Sequence, residues 1–326
     1  MMEYVIFGVG IICWTFGLIF IAFIVEWFYR KLMGHMQHRV GPKLAGPIGI
    51  LQAFADFIKL MNKEEISPEG TDDTMVDFLA VFGVWLVIFM SFLLPIYTVH
   101  GLISFTGDAI FLIALFAVGS LIYIVTPYLF KSPYPTVGAG RRAELYLSYE
   151  VPMFLALASV MLVTGSITIS DIIYTPLKTL GGIPIFILLM PALIVSLIGV
   201  MARIKKLPFD IPEAKTELAA GWEAELSGRR LAFFNLLTDL KLFVGSGVIV
   251  TFFLGGPLGP MPFAPGWWWY VFWFFFKVFI VIFFITWIAS SVARFRIDQV
   301  LELFWKKVLP LSIIQVLIIL AVWWLV

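Results

Sequence analysis

Apolar residues run through this chain in long, unbroken stretches that neither alternate nor keep a polar face. A helix needs about 20 such residues to cross the roughly 30 Å hydrocarbon core of a bilayer, and a closed barrel would show shorter, alternating strands. The pattern therefore predicts an all-α, polytopic membrane protein in one membrane domain, 1–326, with eight spans. They lie near Tyr4–Trp27, Phe78–Tyr97, Ala109–Phe130, Val151–Thr168, Ile183–Met201, Leu231–Leu254, Trp267–Ser290 and Val308–Leu325. The fourth is the least sharply bounded, opening after Glu150 and ending among Thr and Ser residues. The apolar start reads as the first span and not as a removable leader, because no charged leader or small-residue cleavage site marks it.

Between the first two spans, Ile48–Lys63 has helical periodicity. Gln52, Asp56, Lys59 and Lys63 form a narrow polar stripe, and Ile48, Leu51, Phe54, Ile58 and Met61 form a wide apolar face. A segment of this kind lies in the membrane interface or packs as a loop helix on a partner protein; the pattern alone leaves both open. The outer loops are short and rich in Gly and Pro, as in Gly255-Gly256-Pro257-Leu258-Gly259-Pro260. Internal repeats and inverted symmetry, which mark many secondary transporters, are missing from the sequence.

Composition agrees with the pattern and charge orients it. Of 326 residues, 61% are hydrophobic and 13% charged, and mean hydropathy is +1.01. A soluble domain carries about 25% charged residues, so an ordinary soluble enzyme is excluded. The 22 Lys and Arg nearly balance the 21 Asp and Glu, which leaves no basic field for nucleic acid. Nineteen of the 22 cations fall in the odd-numbered loops, only Lys178 falls in an even-numbered one, and Lys241 and Lys277 sit inside spans. Lys and Arg in short loops stay cytoplasmic, so both termini are expected outside and the loop 203–230 inside. The single cysteine, Cys13, excludes a disulfide framework and reads as a small buried apolar residue.

The candidate chemistry is carboxylate chemistry. His35, His38 and His100 are too scattered for a metal site, and no nucleophile motif or phosphate-cradling loop is present, so no cofactor or metal is expected in this chain. The loop after the fifth span instead concentrates Asp210, Glu213, Glu217, Glu223 and Glu225. Glu213 and Glu217 are four apart and share a face if helical; two carboxylates at that distance in a low-dielectric site cannot both ionise cheaply, which is what a proton relay requires. The competing reading is an exposed acidic loop with Lys215 and Arg229 as surface partners. Glu26, Glu144, Glu150, Asp239, Lys241 and Lys277 lie inside or at the edges of spans, where charge is costly and faces a bundle interior or a wet cavity. Asp239 and Lys241, two apart, point to different faces. Lys277 is too deep for easy snorkelling and is expected to pair with a carboxylate.

Several blocks resemble a known family. Gln37-His38-Arg39-Val40-Gly41-Pro42 precedes Leu51-Gln52-Ala53-Phe54-Ala55-Asp56-Phe57-Ile58-Lys59-Leu60. Further on come Ser148-Tyr149-Glu150-Val151-Pro152, Pro208-Phe209-Asp210-Ile211-Pro212-Glu213-Ala214 with Glu217-Leu218 and Glu225-Leu226-Ser227-Gly228, then Lys277 with Arg294-Phe295-Arg296-Ile297-Asp298-Gln299. In order and spacing these resemble the H-type membrane subunit of respiratory complex I and of its relatives, the energy-converting membrane-bound NiFe hydrogenases and other ferredoxin-linked complexes.

The resemblance implies a membrane anchor in a prokaryotic cell membrane, joining a peripheral redox arm to antiporter-like and small membrane subunits. The redox centres, Fe–S clusters and in the hydrogenase-like branch a NiFe centre, would then sit in partner subunits, with ferredoxin as electron donor to the complex. It also implies that Asp210, Glu213, Glu217, Glu225 and Glu150 occupy the family's acidic positions, and that Lys277 matches as well. With Glu223, Glu144 and Asp239 these make up the expected relay to proton or sodium pumping subunits. Arg39, Gln52, Asp56, Lys59, Arg294, Arg296 and Asp298 make up the expected interface with the peripheral arm. The sequence departs from the family at Lys215, Tyr29 and Thr238, where glutamates are usual, and at Ala289 and Ala293, where Arg and Pro are expected. The departures and the block Ala55–Leu60 favour the ferredoxin-linked branch, a membrane-bound hydrogenase or a related sulfur-reducing complex, over a quinone- or phenazine-binding subunit. A stand-alone secondary transporter and a purely structural anchor are the readings from other classes.

Overall fold

The computed structural model of the chain describes residues 2–180, 183–212, 221–260 and 266–325. Its helices are α1 (Met2–Met36), α2 (Gln52–Met61), α3 (Asp73–Leu93), α4 (Asp108–Val125), α5 (Pro133–Thr164), α6 (Ile169–Ile172), α7 (Ile185–Leu188), α8 (Met190–Arg203), α9 (Gly228–Phe253), α10 (Trp267–Ser291), α11 (Ile297–Leu303) and α12 (Leu309–Leu325). A two-stranded antiparallel ribbon, Thr179–Leu180 with Ile183–Pro184, is the departure from an all-helical chain. Seven helical segments among the described residues are long and apolar enough to cross a membrane.

The fifth expected span, Ile183–Met201, is the shorter α8, 14 residues long. Pro191 opens it, and its 14 residues extend roughly 21 Å. The segment containing it nonetheless runs back along α5. Thr175 meets Thr164 at the end of α5, with hydroxyl oxygens 2.8 Å apart, and Arg203 reaches Glu150 near the middle of α5 and Arg142 in its first half.

The fourth span differs most from expectation. Its helix begins at Pro133, placed just inside the N-terminus where its missing N–H costs nothing. The stretch Gly138–Glu150, which reads as loop by its charges, is helical because Ala139, Arg142, Leu145 and Tyr149 turn one face into the protein. Pro152 is carried inside the same helix.

The core is built around α9, whose residues from Leu240 to Phe253 are buried on every side. Gly83 of α3 is one reason such a helix can be enclosed: a Cβ there would lie 2.7 Å from the side chain of Leu237. The interfacial helix α2 leans on α1 and α9 with its polar edge inward. Ala53 is buried and Gln52 and Asp56 are half-buried, whereas Leu51, Phe54 and Ile58 are exposed. That inversion fits a helix lying at a membrane surface, with apolar residues toward lipid.

Candidate functional site

Buried charges form two networks, one on each side of α9. The first starts on α2. Gln52 donates to Asp56 (3.0 Å), and Arg30 of α1 donates to Asp56 (2.8 Å) and to Glu26 one turn earlier (2.8 Å). Glu26 is 5% exposed and also accepts from Lys206 at 3.2 Å. Asp239 of α9 makes a side-chain hydrogen bond with Glu26, so two carboxyls meet between Arg30 and Lys206. The Lys206 ammonium lies 4.1 Å from the centre of the Tyr29 ring. Burial opposes its charge, but Glu26, Tyr29 and Asp239 together outweigh this and hold Lys206 above the ordinary lysine range. Phe23, Arg30, Ala53, Asp56, Phe57 and Asp239 line a crevice of about 30 Å³ here, room for water.

The second network surrounds Tyr123 of α4. The Lys205 and Lys241 ammonium groups lie 4.1 and 4.0 Å from the centre of its ring, and the Arg142 guanidinium carbon lies 5.6 Å away. The Tyr123 hydroxyl is 2.8 Å from that of Thr238, and Trp222 packs edge-on against the ring. Lys241 donates to the Gly119 carbonyl at 2.6 Å. Arg142 donates to the Arg203 carbonyl at 2.8 Å, and Arg203 donates to Glu150 at 2.5 Å while lying over Phe116 and Tyr149. The Arg142 Nε and the Arg203 Nε and Nη1 are buried without a hydrogen-bond partner among the described residues. Aromatic faces take the place of acceptors around these cations.

The two networks meet at Lys205 and Lys206. Here Lys205 has φ 54°, a left-handed conformation rare for a residue with a Cβ. Beyond them, Asp210 is paired with Arg294. Burial raises the Asp210 carboxyl above its ordinary range, and Arg294 partly counters that.

Of the expected relay residues, the structure brings Asp239 into the first network and Glu150 into the second. Asp239 and Lys241 do face opposite ways. Glu223 and Glu225 are half-buried in a single 3-10 turn, Gly221–Glu225. Glu144 is exposed and joins neither network. Glu213 and Glu217, with Lys215, lie outside the described residues.

The expectation of a carboxylate partner for Lys277 is overturned. Its ammonium donates to the carbonyls of Leu254 (2.6 Å), Gly256 (2.9 Å) and Leu258 (2.5 Å). The α9 helix ends there and leaves carbonyls without intrahelical donors, and these satisfy all three N–H groups of the lysine. Cys13 is likewise exposed and not buried.

Of the expected interface residues, Gln52 and Asp56 face inward, Lys59, Arg296 and Asp298 are exposed, and Arg39 is exposed with its Nε on Gln37 (2.8 Å). Arg141, Ile211, Arg294, Arg296 and Asp298 line one small pocket. The residues missed from sequence are cations: Arg30, Arg142, Arg203, Lys205 and Lys206 read as markers of the cytoplasmic side. The available signal was their position at span ends, with Tyr29 next to Arg30.

The chain has relatives among known proteins over most of its length. Residues 9–320 match the sequence model of a family described as NADH dehydrogenase. A protein from Thermomicrobium roseum, named as the H subunit of NADH-quinone oxidoreductase, is 34% identical over 320 residues, covering 90% of this chain and 88% of that protein. Proteins of the same name from Rhodospirillum centenum and Rickettsia felis are each 32% identical, with 92% and 98% of this chain covered, and 88% and 94% of theirs.

Proposed function

This chain belongs to the NADH dehydrogenase family of membrane subunits, with the H subunit of NADH-quinone oxidoreductase among its relatives, and we propose that it serves a quinone-reducing, complex-I-type oxidoreductase. In this reading it anchors a peripheral arm in the cytoplasmic membrane, and its redox partners hold the electron-transfer centres. It transmits the charge change of quinone reduction toward ion-pumping subunits. The relatives' names support this reading over the ferredoxin-linked one. The residue departures at Tyr29, Lys215, Thr238, Ala289 and Ala293 favour the hydrogenase-like branch, and a co-purifying subunit with two Cys-x-x-Cys pairs and no quinone turnover would establish it.

The observation that carries the proposal is the first network, which ties the interfacial helix α2 to buried acids through Asp56, Arg30, Glu26 and Asp239. The crevice beneath α2 has room for water and is too small for a quinone ring. Entry of a ring therefore requires α2 to lift. The half-exposed Arg30–Asp56 pair that tethers it is of the kind worth about 0–1 kcal/mol, a tether that opens readily. In this reading α8 is the eighth crossing, because it carries the chain from the far end of α5 back to the cytoplasmic start of α9, and both termini lie outside.

The test is photo-labelling of the intact complex with an azido-quinone. Adducts are expected on α2 near Asp56 or at Phe209, competed by excess quinone. Labelling confined to lipid-facing residues, together with no quinone-dependent turnover, would overturn the proposal.

A further inference from the structure

Helix α3 packs one side against α9 and α4 and leaves a stripe of aromatic rings on the other. Phe78, Val81 and Trp85 are exposed along it, with Phe82 and Phe89 half-buried between them. The rings stack in order. Phe78 lies on Phe82 with centroids 5.6 Å apart and planes at 9°, Phe82 on Trp85 at 6.1 Å and 24°, and Trp85 on Phe89 at 5.6 Å and 14°. Phe89 then meets Phe111 of α4 edge-on at 6.2 Å. Stacked rings are held before any partner arrives, so little side-chain freedom is lost when one docks.

Two features set this stripe apart from a surface made for lipid. Trp85, 58% exposed, stands twelve positions after Asp73, the first residue of α3. That is about 18 Å along the helix, near the middle of a hydrocarbon core roughly 30 Å thick. Tryptophans that face lipid sit at the membrane interface, where the indole N–H is wet. The Trp85 N–H has no acceptor among the described residues, and acyl chains supply none at that depth.

The second feature is charge. From Glu64 to Asp77 the chain carries six acids and no Lys or Arg. The buried Arg230 is shared by Glu65 (3.2 Å), Asp73 (2.6 Å) and Asp77 (2.7 Å), and Asp73 and Asp77 remain exposed. With the neighbouring Lys63, Lys131, Arg229 and Arg230 set against the six acids, two carboxylates are left over. In the orientation proposed above this end of α3 is cytoplasmic, where the lipid surface is negative and repels acids. The same side is where membrane helices carry their Lys and Arg. An aromatic stripe that ends in spare carboxylates therefore matches a second helix and mismatches anionic lipid.

We propose that the α3 face from Asp73 to Phe89 is the docking surface for a membrane-spanning helix of a partner subunit. That helix carries Lys or Arg opposite Asp73 and Asp77. It carries a hydroxyl or amide side chain opposite Trp85, about 12 Å and so roughly eight residues further into the membrane. The proposal rests on the reading of the chain as one subunit of a membrane complex, in the orientation given with it, and is independent of what the complex reduces.

The experiment places the photo-reactive residue benzoylphenylalanine at position 85 in the intact complex and identifies the products by mass spectrometry. Adducts are expected inside a membrane span of a co-purifying subunit, on a segment with Lys or Arg about eight residues toward its cytoplasmic end. If position 85 blocks assembly, the same probe at the exposed Val81, one turn away, reads the same face. Trp85→Phe keeps the ring ladder and removes the N–H. The partner subunit should then dissociate about three- to tenfold faster as detergent is raised, the range typical of a hydrogen bond between membrane helices. In an assembled complex, adducts with phospholipid alone, with a second copy of this chain, or with a helix lacking that cation would overturn the docking surface. Unchanged dissociation of Trp85→Phe would overturn the mid-span contact. A chain that purifies with no other membrane subunit would overturn the reading of it as a subunit.

Discussion

Replacing Lys277 by Met separates a structural lysine from a relay lysine. The Lys277 ammonium holds the carbonyls of Leu254, Gly256 and Leu258, and so fastens α10 to the end of α9. Hydrogen bonds to a charged group contribute about 1.5–3 kcal/mol each, a gross total of roughly 4.5–9 kcal/mol for three. Taking an ammonium partly out of water costs several kcal/mol, and the carbonyls of half-buried Leu254 and Leu258 recover some water once it is gone. The net loss for Lys277→Met is therefore about 2–4 kcal/mol, roughly 30- to 1,000-fold in the local folding equilibrium. The assay is hydrogen exchange in the intact complex on the peptide covering Phe253–Leu258, beside ion pumping per electron transferred. Protection of that peptide should fall by that factor while the pumping ratio of the assembled complex stays near wild type. Lys277→Arg should recover part of the protection, because a guanidinium still offers donors. Unchanged protection with lost pumping would refute the capping argument and return Lys277 to the relay.

Other consequences follow from the same geometry. Glu150→Gln strips Arg203, 3% exposed, of its carboxylate. It should destabilise the chain by about 3–5 kcal/mol, and adding Arg203→Met should recover much of that in a double-mutant cycle of detergent stability. Gly49 has φ 81°, and a Cβ there would collide with the Pro42 carbonyl. Gly49→Ala should therefore cost about 1–3 kcal/mol and loosen α2, read as faster proteolysis of the loop 41–63. Arg294→Gln removes the cation that counters the burial of Asp210. A carboxyl raised in the folded state contributes stability at low pH that is lost as pH rises through its folded value. The variant's loss of thermal stability should thus be larger at pH 8 than at pH 5, and Asp210→Asn in the same background should flatten the difference.

The helical membrane architecture and the family were legible in the order of the residues. Each rests on something local: some 20 apolar residues settle a span, and blocks such as Pro208–Ala214 are read in order. Asp239 and Lys241 could be separated in the same way, because side chains two apart on a helix diverge. The start of α5 could not be found so, since Arg142 and Tyr149 are buried by contacts with Tyr123 and Arg203 far along the chain. Lys277 was misread because a lysine can be satisfied by backbone carbonyls, and every residue has one, so no sequence signal marks them. That Lys205 and Lys206 part company is a property of the folded chain alone. One left-handed residue sends adjacent ammonium groups to Tyr123 and to Glu26, and the packing of α4, α5 and α9 around them determines which charges share a low-dielectric interior.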